Sequence, residues 1–193
     1  MHPSERELND GTCSWANSSV VMRAYHDDEW GVPSRDDRHL FEMLNLEGAQ
    51  AGLSWSTVLN RRDGYRRAFA EFDPVKVAAF DDSRLEELRE DTGIIRNRLK
   101  IYGTRTNAIA FLAVQAEFGS FAAYLWGWID DTRIVNHPKS LGELAPTSEL
   151  SDRMSKDLKR RGFTFVGSTI VYSLLEAVGL IDDHVVSCPR KRE

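Results

Sequence analysis

The chain has 193 residues, with 41% hydrophobic and 28% charged side chains, which is enough for one well-formed core or two small lobes. Its net charge of −5 argues against broad electrostatic binding to nucleic acid, which usually requires a basic face. The most apolar helix candidate, residues 168–181, is short and contains Glu176, so it predicts a core helix and not a membrane span. We therefore expect a soluble globular protein with no membrane partner.

The start of the chain is polar and charged, without the apolar segment of an export signal, which predicts a cytoplasmic protein with reduced cysteines. Neither a long linker nor an internal repeat divides the remaining sequence. We therefore predict an N-terminal tail at residues 1–12, a single α-helical domain at residues 13–188 and a basic C-terminal tail at residues 189–193.

Helical periodicity recurs along the chain and alternating strand patterns are scarce, which predicts an all-α fold. Asp36 or Asp37 can cap a helix that continues through Ala49. A second helix is expected to run from near Ser54 towards Phe69. Both predictions rest on a capping side chain followed by apolar residues at helical spacing.

Further helix starts are predicted in the middle of the chain. Asp73-Pro74 combines a cap with proline at the first helical position. Ser83 and Glu86 have the spacing of a capping box. Residues 97–117 follow as a long helix candidate.

The last third of the chain is predicted to contain three helices, a loop and a tight hairpin. Ser120 opens a short helix, and residues 137–146 have the proline and glycine content of a loop. Residues 148–161 and 167–179 then form two helices joined by the hairpin at residues 162–167.

Glycines at both ends of that hairpin suggest a phosphate site. Gly162 and Gly167 permit a tight turn, and the first amides of the following helix, at Gly167, Ser168 and Thr169, would point outward. A helix N-terminus can bind phosphate without net positive protein charge. The alternative is an ordinary connection between two helices.

The two cysteines each have a histidine nearby, at opposite ends of the chain. Cys13 precedes His26 and His184 precedes Cys188, which supplies the two thiolates and two imidazoles of a closed structural zinc site. If residues 184–188 form a helical turn, His184 and Cys188 share one face. A disulfide between the two cysteines is the alternative.

Sequence blocks that occur in order from Cys13 to Cys188 resemble the DNA-3-methyladenine glycosylase I family. They are CSW at 13–15, YHDDEWGVP at 25–33, LEGAQAGLSW at 46–55, FDPVKV at 72–77, GIIRNR at 93–98 and KRRGFTFVGSTI at 159–170. The hairpin and the following GLIDDHVV at 179–186 are similar to the wider helix-hairpin-helix DNA glycosylase superfamily.

This resemblance implies an all-helical, monomeric base-excision repair enzyme with one activity. Such an enzyme flips an N3-alkylated purine out of double-stranded DNA and hydrolyses its N-glycosidic bond, leaving an abasic site. The released base is expected to be 3-methyladenine, with 3-methylguanine as a further candidate. The resemblance also implies structural Zn²⁺ bound by the two cysteine–histidine pairs.

The resemblance further implies which side chains contact the flipped base. Glu47 would be the catalytic contact, Tyr25 and Trp55 would stack on the base, and Trp15 and Trp30 would complete the pocket. Aromatic faces and a carboxylate suit a cationic purine with an exocyclic amine. Without the resemblance, these aromatics would be assigned to the core and Glu47 to a solvent-facing helix end.

Contacts with DNA are implied at two places. Gly52 and Leu53 lie where a wedge enters the gap left by the base. The hairpin residues Gly162 and Gly167, together with Ser168 and Thr169, would bind the backbone.

The chain departs from the family pattern at two positions. Met22 stands where an additional aromatic side chain often occurs, which would soften one pocket wall. Asp182 lies two residues before His184, where other glycosylases of the superfamily carry a catalytic aspartate and members of this family carry asparagine. We hypothesise that Asp182 is mainly structural.

Two other functions stay open from the sequence. A glycosylase with lyase activity needs a lysine nucleophile beside the hairpin, where this chain has Thr169, and two cysteines cannot ligate an iron–sulfur cluster. A non-catalytic, zinc-stapled helix-hairpin-helix DNA-binding module would keep the zinc and the hairpin without requiring Glu47.

Overall fold

The computed structural model describes residues 10–191. Within that range the chain forms ten α-helices, α1 to α10 in chain order. They are Val20–Asp28, Asp37–Gln50, Trp55–Leu59, Arg62–Ala68, Pro74–Ala78, Asp82–Leu88, Arg98–Phe118, Phe121–Gly127, Glu149–Arg160 and Ser168–Ala177. Residues 1–9 of the predicted N-terminal tail and residues 192–193 of the basic tail lie outside the described residues.

Helix α2 is the central element of the core. Ten consecutive residues, 40–49, are buried on all sides of this helix, which packs against α3, α7, α8 and α10. The buried apolar side chains of the described chain form one contiguous cluster around it. Among residues 10–191 no helix alone has the length and apolar content of a membrane span; α7 and α8 reach it only as a pair bent by 75°.

Most predicted helix starts are confirmed by their caps. The side chains of Asp36, Ser54, Asp73, Asn97 and Ser120 each accept a hydrogen bond from a backbone amide in the first turn of the following helix. These caps are local interactions, which is why the sequence predicts them.

Two helix predictions were wrong. The capping box at Ser83 does not form, because α6 begins earlier and its cap is Asp81, which accepts from the Arg84 amide. The single helix expected from Ser54 to Phe69 is broken between α3 and α4. The break lets Gly64 approach the backbone of Gly93 more closely than any side chain would permit.

The all-α prediction also needs a correction, since the fold is mostly helical but includes two short strands. Strand β1, Ile134–Val135, pairs in parallel with β2, Ile181–Asp182, in the register Ile134 to Ile181. Two residues are too few to produce an alternating pattern in the sequence. The pair joins the loop after α8 to the segment that follows α10.

The predicted hairpin connects α9 to α10. Gly162 has φ +94°, and the amides of Gly162 and Phe163 donate to the carbonyls of Lys159 and Leu158, which is the Schellman ending of a helix. Phe165 then packs against α2 and α7 at Gly48 and Gly103, where a Cβ atom would approach its side chain to 3.1 and 3.2 Å. The hairpin is therefore held against the helix that carries Glu47.

Candidate active site

A cavity of about 320 Å³ opens between α1, α2, α3 and α10. This volume lies in the range of small-molecule sites, roughly 300–1,000 Å³. The lining residues are Trp15, Met22, Tyr25, Trp30, Glu47, Gln50, Trp55, Leu141, Leu144, Ser173 and Glu176. All five residues predicted to contact a base, together with Met22, are thus brought to one cavity.

Glu47 is the polar group of α2 that the fold leaves unsatisfied. Of the polar side chains in the buried stretch, Glu42 accepts hydrogen bonds from Arg62 and Arg66 at 2.8 and 2.7 Å, and Asn45 accepts from Asn107 at 3.0 Å. Glu47 Oε2 is buried and has no hydrogen-bond partner among the described residues. A buried polar atom without a partner is costly and points to a missing ligand or water.

Burial alone raises the pKa of Glu47 to about 8. Its carboxyl is therefore neutral at pH 7 in the protein by itself. A cation in the cavity would favour the ionised form, since an opposite charge lowers a carboxyl pKa.

Aromatic rings surround this carboxyl. The ring centroids of Tyr25 and Trp55 lie 5.3 Å apart with their planes tilted by 52°, and those of Trp15 and Trp30 lie 5.1 Å apart, edge to face. Tyr25 Oη and Trp55 Nε1 are also buried without a partner in residues 10–191. Electron-rich faces and three unpaired polar atoms therefore converge on one space.

The predicted wedge lies at the rim of the cavity. Gly52 has φ +78° in the loop between α2 and α3, and Leu53 is 41% exposed. The loop is flanked by Gln50 and Trp55, which both line the cavity. Leu53 is therefore positioned beside the opening and not inside it.

The predicted backbone contacts lie at the start of α10. Gly167 caps this helix through its backbone, and the amides of Ser168 and Thr169 fall in its first turn, where amides lack intrahelical acceptors. The Ser168 hydroxyl lies 2.8 Å from that of Ser151, which ties α10 to α9. Ser173 and Glu176, farther along α10, line the cavity.

The four predicted metal ligands come together as one buried cluster. The ligand atoms of Cys13, His26, His184 and Cys188 all lie within 4.8 Å of one another. Cys188 Sγ is 3.5 Å from His26 Nε2 and from His184 Nδ1, and Cys13 Sγ is 3.7 Å from His184 Nδ1. A tetrahedral ion with ordinary Zn–S and Zn–N bonds would place sulfur and nitrogen ligands about 3.6 Å apart.

The surroundings of the cluster also fit a metal ion. His26 Nδ1 lies 2.7 Å from an Asp27 carboxylate oxygen, which leaves Nε2 facing the cluster. Burial raises the pKa of Cys13 to about 12, so a bound cation would be needed to hold this side chain as a thiolate. The cluster could therefore hold a metal ion.

Two sequence alternatives at this cluster are now resolved. Cys13 and Cys188 are both free, so the disulfide does not form. Residues 184–188 form a non-helical turn in which the Cys188 amide donates to the Val185 carbonyl at 2.8 Å. This turn brings His184 and Cys188 together without the helix that the spacing suggested.

Asp182 is buried but does not line the cavity. Its Oδ1 accepts a hydrogen bond from the His184 amide at 3.0 Å, and Arg133 and Lys191 approach the carboxylate at 3.5 and 3.4 Å. Asp182 thus anchors the turn that carries a metal-cluster residue, in line with the structural hypothesis.

Several lining residues were missed from the sequence. Leu141 and Leu144 belong to the loop predicted at residues 137–146, which has no periodicity to reveal them. Glu176 had a signal, because it is the single acid of the apolar helix α10. Burial raises its pKa well above the usual range, and the neighbouring Asp183 carboxyl raises it further.

Comparisons with known proteins agree with this geometry. A family model described as methyladenine glycosylase matches residues 15–191. DNA-3-methyladenine glycosylase 1 of Escherichia coli (strain K12) is 47% identical over 176 residues, which cover 91% of this chain and 94% of the relative.

Solved structures are similar over nearly the whole chain. A crystal structure of 3-methyladenine DNA glycosylase I has a TM-score of 0.91 and 45% identity, covering 94% of this chain and 100% of that one. A variant of a 3-methyladenine DNA glycosylase I in complex with 3-methyladenine has a TM-score of 0.92 and 33% identity, covering 95% and 98%.

Proposed function

This chain belongs to the methyladenine glycosylase family, and we propose that it removes N3-alkylated purines from DNA, releasing 3-methyladenine and leaving an abasic site. 3-Methylguanine falls in the same substrate class. The observation that carries the proposal is Glu47 Oε2, which is buried without a hydrogen-bond partner among the described residues in a cavity of about 320 Å³ with aromatic walls. Its biological role is base-excision repair of alkylated DNA.

The cavity suits the charge of the substrate. An N3-alkylated purine is cationic while it is attached to the sugar, so the faces of Tyr25 and Trp55 attract it. Its charge also lowers the pKa of Glu47, and the resulting carboxylate accepts a hydrogen bond from the exocyclic amine. When the N-glycosidic bond breaks, its electron pair stays with the base, which leaves as a neutral molecule, and the water that adds to the sugar carbon releases a proton to solvent. Because the leaving base needs no protonation, binding and orientation supply most of the catalysis.

The DNA is held by local features and not by a basic face. Gly52 and Leu53 enter the gap left by the extruded base, which offsets part of the cost of unstacking it. Gly162, Gly167, Ser168 and Thr169 present the hairpin and the first amides of α10 to a backbone phosphate. These local contacts would let the protein bind double-stranded DNA despite its net charge of −5. We expect it to act as a monomer in the cytoplasm.

We propose that the cysteine–histidine cluster holds Zn²⁺. Four protein ligands, Cys13, His26, His184 and Cys188, would leave no open position for water, so the metal would supply folding energy and no chemistry at the base. Trp15 and Trp30 contact His26 and His184 edge to face, at centroid distances of 5.1 and 4.5 Å. A bound ion would therefore also steady two walls of the cavity.

The test is release of free base from methylated duplex DNA, measured by chromatography. Wild type is expected to release 3-methyladenine, and Glu47→Ala to lose this activity while staying folded, with a melting temperature no lower than that of wild type. Glu90→Gln, which neutralises an exposed acid, is the matched control and should retain the activity. Tight DNA binding without base release would favour the alternative, a zinc-stapled helix-hairpin-helix binding module.

A second experiment distinguishes a monofunctional glycosylase from one with lyase activity. A lyase requires an amine that attacks the sugar, and no lysine lines the cavity within residues 10–191. Thr169 stands at the hairpin position where such a lysine is expected. Borohydride trapping should therefore capture no covalent protein–DNA complex, and a trapped complex would contradict the monofunctional assignment.

A further inference from the structure

The loop between α2 and α3, residues 51–54, has little packing of its own. A Cβ atom at Gly52 would meet nothing within 4 Å, and Leu53 is 41% exposed. Local hydrogen bonds are limited to turn contacts, such as the Leu53 amide to the Gln50 carbonyl at 2.6 Å. Something outside the loop must therefore fix its orientation.

Lys100, in the first turn of α7, makes that connection. Its Nζ donates to the Ala49 carbonyl at 2.8 Å and to the Ala51 carbonyl at 2.7 Å. Ala49 belongs to the last turn of α2, whose carbonyls lack intrahelical donors, and Ala51 is the first residue of the loop. A cation at this end also interacts favourably with the helix dipole.

These two carbonyls are the partners that the structure gives to Lys100. No carboxylate in residues 10–191 forms an ion pair with it, although ion pairs are common elsewhere on this chain. The ammonium is half-buried. Its desolvation is offset mainly by the two carbonyls, so the side chain joins α7, the end of α2 and the loop as one unit.

We propose that Lys100 is a positioning residue for strand opening: it clamps the loop so that Leu53 is already in place when a base leaves the duplex. The proposal rests on the function proposed above. Ordering a flexible side chain during insertion costs binding free energy. A side chain that is already held in place avoids this cost. Lys100 does not line the cavity, so its effect should be confined to substrates that must be opened.

The test compares Lys100→Met on methylated duplex and methylated single-stranded DNA. The variant should lose at least about tenfold in single-turnover excision from duplex, because two charge-assisted hydrogen bonds are removed. Excision from single strands and the affinity for free 3-methyladenine should change less than about twofold. Lys76→Met removes one exposed positive charge without this clamp and corrects for weaker DNA attraction.

A second variant guards against a folding defect. Lys100→Gln keeps an amide donor and should show a smaller duplex defect than Lys100→Met. Equal losses on duplex and single strands, or no loss on duplex, would overturn the clamp. Failure of the wild type to release any 3-methyladenine would instead overturn the proposed function, so the two failures are distinguishable.

Discussion

Glu47 lies in a helix whose other buried polar groups are paired, and the absence of a partner has a thermodynamic consequence. Burial raises the pKa of its carboxyl from 4.5 to about 8, so the folded protein binds a proton there that the unfolded chain releases. Its contribution to stability is fully present below pH 4.5 and is lost as the pH rises towards 8.

Glu47→Gln should therefore stabilise the protein in a pH-dependent way. The amide resembles the neutral acid and cannot ionise, so the variant should match wild type near pH 4.5. It should gain about 1.4 kcal/mol for each pH unit up to about 8. Urea unfolding at pH 5 and pH 8 measures the difference. A gain that is the same at both pH values would contradict the burial of this carboxyl.

The residues of the site differ in how readily they can be predicted from the sequence. Glu47 and the aromatic residues are recognised only as parts of family-like blocks, because periodicity alone places them in a core or at a surface. Glu176 stands out as an acid in an apolar helix, but its position beside Glu47 depends on how α10 packs against α2. Lys100 carries no signal, since its partners are backbone carbonyls that are distant in sequence.

At the scale of elements, local chemistry was predictable and long-range packing was not. Caps such as Asp73 and Ser120 bond to amides two or three residues away, so the sequence contains the whole interaction. The break between α3 and α4 accompanies a close contact of Gly64 with Gly93, and the β1–β2 pair joins segments 47 residues apart in its register. Neither of these long-range contacts produces a periodic pattern in the sequence.

Packing of the hairpin gives a prediction at this scale. In Gly103→Ala the new Cβ would lie 2.8 Å from Thr164 Oγ1 and 3.2 Å from the Phe165 ring, so these two hairpin side chains must give way. We expect a loss of about 1–3 kcal/mol in the free energy of unfolding, with weaker DNA binding. Gly127→Ala, where a Cβ meets nothing within 4 Å, is the control. Equal stability of the two variants would show that the hairpin does not pack closely on α7.

At the scale of the whole molecule, the two ends of the described chain are fastened to each other. The Ser187 hydroxyl donates to the Gly11 carbonyl at 3.0 Å, and the cluster joins Cys13 to Cys188. Sequence spacing identified the four side chains, but only the tertiary fold shows that their ligand atoms meet. A metal ion here would stabilise the fold and, through Trp15 and Trp30, the cavity.

Cys188→Ser tests this arrangement. The variant should lose bound zinc, measured by elemental analysis beside wild type, and should melt at a lower temperature because metal binding contributes to folding. The affinity for 3-methyladenine should also fall, since two cavity walls contact the cluster. Unchanged zinc content would show that Cys188 is not a zinc ligand.

A crystal structure of the protein with 3-methyladenine would show whether the cavity is the base-binding site. The base should lie in the cavity against the rings of Tyr25 and Trp55, with its exocyclic amine within hydrogen-bonding distance of Glu47 Oε2. A base bound elsewhere, or a cavity filled by the protein's own side chains, would show that Glu47 and its aromatic neighbours do not bind the base.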